Sequence, residues 1–117
     1  MALSFEDFVS ILKGLLTAEE RVNGVAYAAE TPLAAASRLE FPGISMEVPR
    51  EAYLAFIDRQ PMANWGHSAR YLLVGRDHGE SQSFETRFPP FRPNGNMNWL
   101  VVYKAPSVPD AAVASPQ

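Results

Sequence analysis

Short aromatic and aliphatic runs separated by polar turns fill residues 64–103. Residues 70–76 carry apolar side chains on both faces of an extended chain, which is typical of a central strand. Residues 83–88 alternate strictly between apolar and polar side chains, which indicates a strand with one solvated face. Residues 99–103 form a third apolar run. The stretch predicts three strands in an antiparallel meander.

The connections between these runs have the composition of chain reversals. Residues 77–80 include Gly79, and glycine adopts the positive φ that tight hairpins require. Residues 94–96, Asn-Gly-Asn, indicate a second reversal before the third run.

Two helix starts are marked near the N-terminus. Ser4 with Asp7 and Thr17 with Glu20 each have capping-box spacing, in which a hydroxyl and a carboxylate satisfy early backbone N–H groups. The first start is followed by a broad apolar stripe at helical spacing, formed by Phe5, Phe8, Val9, Leu12, Leu15 and Leu16. The second predicts a short helix that ends at Asn23 or Gly24.

The middle of the chain is less regular. Residues 25–30 fit either a helix or a short strand, and residues 44–48 fit a short edge strand. Thr31-Pro32 has the chemistry of a helix start, which predicts a helix over residues 33–39. Pro49 indicates another helix start, and that helix ends before Pro61.

Together these patterns predict an α+β domain, in which N-terminal helices pack on a three- to four-stranded antiparallel sheet. Residues 1–104 form this single domain. Residues 105–117 are rich in Pro, Ala and Ser and carry one charge. Because such a segment buries too little apolar surface to offset its ordering entropy, we expect a disordered tail there.

Composition narrows the function classes. The chain has no cysteine, so disulfides, thiolate metal sites and cysteine nucleophiles are excluded. Its net charge of -3 disfavours a nucleic-acid partner, which normally requires a basic surface. No apolar run is long enough to cross a bilayer, and the N-terminus lacks the features of a secretory signal. We expect a soluble, cytoplasmic protein without a membrane partner.

Trp65-Gly66-His67-Ser68, just before the predicted central strand, is the strongest candidate for chemistry. His67 could serve as a general acid or base in a small enzyme. Neighbouring residues on a strand point to opposite faces, however, so His67 is poorly placed to activate Ser68. We therefore interpret the motif as structural and keep the His67 enzyme as an alternative.

A metal site would have to use His67 and His78 with Asp77 or Glu80. The two histidines are separated by a whole predicted strand, whereas zinc ligands usually occur at short, defined spacings. The sequence therefore predicts no metal and no other cofactor.

A second alternative is a sheet that binds single-stranded nucleic acid, since cationic and aromatic side chains interleave along the strands. The overall acidity removes much of the electrostatic attraction that such binding needs. The side chains in question are Arg70, Tyr71, Arg76, Arg87, Phe88 and Trp99.

The loop at residues 89–98 carries the leading functional hypothesis. Its prolines restrict the chain, so less ordering entropy is lost on binding, and aromatic, guanidinium and thioether groups are suited to protein recognition. We predict a non-catalytic interaction module, of the inhibitor, immunity or accessory-subunit type, that binds a partner protein through this loop and a sheet edge. The sequence does not determine the oligomeric state, and a homo-oligomer stays an open alternative. The predicted binding residues are Phe91, Arg92, Met97 and Trp99.

Overall fold

The computed structural model describes residues 2–41, 44–62, 67–77, 79–87 and 98–110. These ranges contain two helices and seven strands. Five strands form an antiparallel sheet in the order β6-β5-β4-β1-β7, and the other two form a separate β2–β3 hairpin. The α+β class is as predicted, but the sheet is larger than the three to four strands expected. The elements are α1 (Phe5–Leu15), α2 (Ala18–Asn23), β1 (Val25–Ala29), β2 (Arg38–Phe41), β3 (Ile44–Glu47), β4 (Ala52–Asp58), β5 (Ala69–Gly75), β6 (Ser81–Thr86) and β7 (Trp99–Lys104).

Both predicted helix starts are confirmed by reciprocal capping boxes. The Asp7 N–H donates to Ser4 Oγ at 3.1 Å, while the Ser4 N–H donates to Asp7 Oδ2 at 3.0 Å. At the second start the Glu20 N–H donates to Thr17 Oγ1 at 3.2 Å, and the Thr17 N–H donates to Glu20 Oε1 at 2.9 Å. These bonds join residues three positions apart, so the local sequence is enough to specify them.

Two predicted helices are wrong. Residues 33–39 do not form a helix. Leu33 instead forms an isolated β-bridge with Ala52, and β2 begins at Arg38. The helix predicted from Pro49 is instead β4, in which every residue is buried. A strand buried on both faces has no period-two pattern, so its apolar residues can mimic helical spacing.

The other strand predictions have mixed outcomes. β3 confirms the predicted strand near residues 44–48, and residues 25–29 form a strand instead of a helix. β4, β5 and β6 form consecutive antiparallel pairs, and Gly79, between β5 and β6, has φ +69°. The predicted place of the last strand is wrong, because β7 pairs with β1 at the opposite edge from β6.

The five-stranded sheet has an apolar core on each face. On one face α1 inserts Phe8 and Leu12, and we name this the helix-side core. On the other face Leu39 of the β2–β3 hairpin packs together with Ala105 and Val108, and we name this the hairpin-side core.

The packed chain thus continues past Lys104 into the start of the segment predicted to be a tail. The rest of that segment, residues 111–117, lies outside the described residues. Neither helix in the described ranges has the length and apolar composition needed to cross a bilayer.

Candidate functional site

A buried histidine–carboxylate pair lies at one end of β4 and β5, two interior strands of the sheet. Asp58 is the last residue of β4 and is paired in register with Ala69, the first residue of β5. His67, two residues before β5, folds back over this strand end and places its Nε2 2.7 Å from Asp58 Oδ1. Both side chains are almost completely buried. His67 is recognisable from the sequence as a candidate residue, but its acidic partner Asp58 is not.

The connection between β4 and β5 is held by further hydrogen bonds around this pair. The Gln60 N–H donates to Asp58 Oδ1 at 3.0 Å, and the Ser68 N–H donates to Gln60 Oε1 at 3.3 Å. Asp58 therefore accepts from both ends of the connection. This arrangement fixes where the chain leaves β4 and where it enters β5.

Burial raises the pKa of the Asp58 carboxyl, and the hydrogen bonds from His67 and the Gln60 N–H offset this effect only in part. A carboxyl with a raised pKa beside an oriented imidazole is an arrangement that can move a proton. The same arrangement can also serve only to satisfy two buried polar groups. The pair alone is compatible with either role.

A second polar cluster lies on the helix side of the same strand ends. Glu20 of α2 has no exposed side-chain surface and accepts hydrogen bonds from two arginines. Arg70 of β5 donates through Nε at 2.9 Å and through Nη2 at 2.8 Å. Arg59 donates through Nε at 2.9 Å. This cluster fastens α2 to the sheet.

The pKa of the Glu20 carboxyl reflects two opposing effects. Burial raises it, but the hydrogen bonds from Arg70, the Thr17 N–H and Arg59 together outweigh burial, so the pKa lies below its usual value of 4.5. Glu20 is therefore a carboxylate at neutral pH. Its charge is matched inside the protein, which is the condition under which a buried charge is tolerated.

The remaining donors of the two arginines are also occupied. Arg59 reaches Glu85 of β6 with two nitrogens, at 2.5 and 3.0 Å, and Ser68 Oγ at 3.0 Å. Arg70 donates to Ser83 Oγ at 3.1 Å and to the Leu15 carbonyl at 3.0 Å. The hydrogen bonds from Arg59 hold the pKa of Glu85 below its usual value.

From the sequence, Glu20 is recognisable only as a helix-start signal, and neither arginine has an evident partner. Glu20 and Arg70 are fifty positions apart in the chain. Charged residues at unremarkable positions carry no local mark of such a pairing. The only available signal was an arginine inside an apolar strand, which needs a buried counter-charge.

The predicted binding loop falls almost entirely outside the described residues. Phe91, Arg92 and Met97 lie there, so their role stays a prediction. Trp99 begins β7 and is 6% exposed, with its side chain in the hairpin-side core. His78 also lies outside the described residues, and the part of the chain that is described contains no group of three or more side chains suited to hold a metal ion.

The cationic and aromatic side chains proposed for nucleic-acid stacking are largely engaged within the domain. Tyr71 is fully buried in the hairpin-side core, and Arg70 is held by Glu20. Arg76 donates to Glu51 at 3.2 Å, and its guanidinium lies 6.0 Å from the centre of the Tyr53 ring.

The two edges of the sheet differ in chemistry. β6 is formed by Ser-Gln-Ser-Phe-Glu-Thr and is mostly polar and exposed. β7 is formed by Trp-Leu-Val-Val-Tyr-Lys, and its Leu100 and Val101 are 42% and 43% exposed. Among the described residues no strand pairs with the outer side of β7. An apolar, open edge of this kind is a ready template for another strand.

The chain matches no protein-family model, no curated protein and no solved structure.

Proposed function

We propose that the protein is a non-catalytic interaction module that binds a partner protein through the β7 edge and the 89–98 loop. The observation that carries this proposal is the apolar β7 edge, with which no strand in the described part of the chain pairs on its outer side. Monomeric proteins normally blunt sheet edges with charges, prolines or covering segments, because exposed edges pair with other chains. Leu100 and Val101 lie at the centre of β7 and offer no such protection.

The binding mode we propose is strand addition. An extended segment of the partner hydrogen-bonds to the outward backbone groups of β7, and its side chains contact Leu100 on one face and Val101 on the other. Leu100 is paired with Ala28 of the helix-side core, and Val101 is paired with Tyr27 of the hairpin-side core. The added strand therefore extends both faces of the sheet.

The 89–98 loop immediately precedes β7 in the sequence, and in this proposal its side chains add to the binding surface. Arginine, as at Arg92, is among the residues that most often dominate protein interfaces, and phenylalanine, as at Phe91, is enriched in them. The prolines at positions 89, 90 and 93 limit the conformations that binding has to order. Loop and edge together make one continuous binding surface in this proposal.

The buried polar clusters fit a module whose ionisable groups serve its architecture. Glu20 is completely enclosed, and its arginine partners are bonded on several sides. Groups held in this way join α2 and β5 and leave recognition to the surface.

The test is affinity capture with the intact chain from an extract of the organism that encodes it. The wild type is compared with Val101→Lys and with Gln82→Lys, which adds the same charge to the exposed β6 edge. Support is a protein that the wild type and Gln82→Lys retain and that Val101→Lys loses. Retention of the same proteins by all three chains, each with the wild-type melting temperature, would refute binding at β7. A double Phe91→Ala, Arg92→Ala variant tests the loop separately.

A second candidate function is a small enzyme that uses His67 as acid or base. The 2.7 Å contact with Asp58 favours it, because a carboxylate that orients an imidazole is a recurring part of proton-transfer sites. The discriminating measurement is the pH dependence of any activity found for the chain. The enzyme is supported if Asp58→Asn changes the pH profile of that activity and His67→Gln abolishes the activity. If folded His67→Gln retains the activity, His67 is not its acid or base.

A further inference from the structure

We infer that the strand that pairs with the β7 edge belongs to a second copy of this chain, in an antiparallel arrangement about a twofold axis. The inference rests on the proposed function, because it takes β7 to be a protein-binding edge and names the partner. Two copies joined in this way form one continuous sheet with a β6 strand at each outer edge. The polar chemistry of β6 then faces solvent at both ends, and the apolar edges are covered.

Charge is the first argument for a second copy. In a twofold arrangement each residue of β7 faces a residue of the same short stretch, so a charge at or near the axis would lie close to the same charge of the other copy. Residues 98–103 carry no charge. Lys104, at the end of the strand, donates to the Val108 carbonyl at 2.5 Å and lies 3.3 Å from Asp110 of its own chain. The edge therefore has no like-charge repulsion to prevent self-pairing.

The β6 edge shows the contrast. Its Glu85 is 68% exposed and lies in the middle of a polar surface. Pairing two such edges would bury serine and glutamine side chains that are exposed in this structure. Among the described residues one edge is thus polar, while the other is apolar and has no pairing strand, which is expected if that edge is covered in the assembled protein.

Geometry locates the axis. The register between β1 and β7 shifts between Ala26 and Tyr27, so that Val102 is an extra residue and the strand is irregular there. The regular part of the edge is therefore Trp99 to Val101. Directly opposed residues of an antiparallel pair have their side chains on the same face of the sheet, whereas consecutive residues alternate between faces. One residue of β7 must therefore face its own copy, with the twofold axis midway between the two. An axis at Leu100 or Val101 brings the exposed apolar side chains of the two copies together on each face.

The first experiment measures the mass of the purified chain by sedimentation and light scattering from micromolar to millimolar concentration. We expect the wild type and Gln82→Lys to shift from one chain to two as concentration rises. Val101→Lys should stay at one chain over the same range, because it places one ammonium group from each copy at the axis or next to it, on the same face of the sheet. A wild type that remains at one chain throughout, or a dimer that Val101→Lys does not weaken, overturns the inference.

The second experiment uses the absence of cysteine from the chain. Single substitutions Leu100→Cys, Val101→Cys and Gln82→Cys are exposed to mild oxidation. A residue on the twofold axis lies opposite its own copy, within reach of a disulfide. We expect rapid cross-linking for Leu100→Cys or Val101→Cys and little for Gln82→Cys. Equal cross-linking at all three positions indicates random collision and contradicts the arrangement.

The two proposals can fail separately. If the chain is monomeric but Val101→Lys still loses a captured protein of another sequence, the second copy is excluded and the β7 binding edge stands. If the chain is monomeric and Val101→Lys loses no captured protein, both proposals are wrong.

Discussion

Substitution of Glu20 by glutamine tests whether the enclosed carboxylate holds α2 on the sheet. Glutamine has the same shape and still fits the capping box, in which either Glu or Gln can accept from the Thr17 N–H. The substitution therefore removes the negative charge and leaves the helix start in place. Arg59 and Arg70 then lose their shared counter-charge inside the protein.

The size of the effect follows from the contacts of the two arginines. Removing one partner of a buried ion pair costs about 3–5 kcal/mol of unfolding free energy. Arg59 keeps Glu85 and Ser68, and Arg70 keeps Ser83 and the Leu15 carbonyl, so we expect the lower end of that range. A loss of about 3 kcal/mol corresponds to a melting temperature lower by about 12 °C for a domain of this size.

The matched control is Glu85→Gln, which makes the same chemical change on the surface. The Glu85 side chain is 68% exposed, whereas that of Glu20 is fully enclosed, and both contact Arg59. An exposed pair contributes about 0–1 kcal/mol, so the control should lose no more than that.

Urea unfolding, followed by tryptophan fluorescence and by far-ultraviolet circular dichroism, measures both variants. The reasoning is refuted if Glu20→Gln and Glu85→Gln lose equal stability, or if Glu20→Gln loses less than about 1 kcal/mol, the range of a surface pair. Either result means that the two arginines do not depend on Glu20 for their burial.

Two further predictions concern pH and glycine. The pKa values of the Glu20 and Glu85 carboxyls lie below 4.5 in the folded chain. The two carboxylates therefore contribute fully to stability above the unfolded pKa of 4.5, and the contribution is lost as the pH falls through their folded pKa values. Urea midpoints measured from pH 6 to about pH 3 should fall more steeply for the wild type than for Glu20→Gln, and parallel curves would contradict this. Gly79→Ala should cost about 1 kcal/mol, because φ is +69° there while the nearest side-chain atoms leave room for a methyl group. Gly14 lies inside α1, where a Cβ added to it meets no heavy atom within 4 Å apart from its chain neighbours and the helix's own backbone. Gly14→Ala should therefore gain up to about 1 kcal/mol, and thermal unfolding of both variants checks the opposite signs.

Much of the candidate site could not be predicted from the sequence. His67 was identifiable because a histidine beside a strand is conspicuous, but its partner Asp58 belongs to a segment that the sequence predicts to be a helix. A helix there leaves no reason for the two side chains to meet. Once β4 forms as a strand antiparallel to β5, the end of one lies beside the start of the other, and the contact follows from the register.

The edge chemistry was only half predictable. The apolar composition of residues 99–103 is plain in the sequence, but a meander would have placed that strand beside β6. Only its pairing with β1 puts the apolar strand at one edge of the sheet and the polar β6 at the other.

What the sequence determined by itself is local: the two capping boxes, the apolar stripe of α1, the alternation in β6 and the glycine reversal before it. These features depend on residues within a few positions of one another, so their physics is complete before the chain folds. The tertiary structure decided the strand order, the identity of β4 and the burial of Glu20 between two arginines. Those outcomes depend on which apolar surfaces are covered together and on charges that meet only across distant segments, and no local pattern records either.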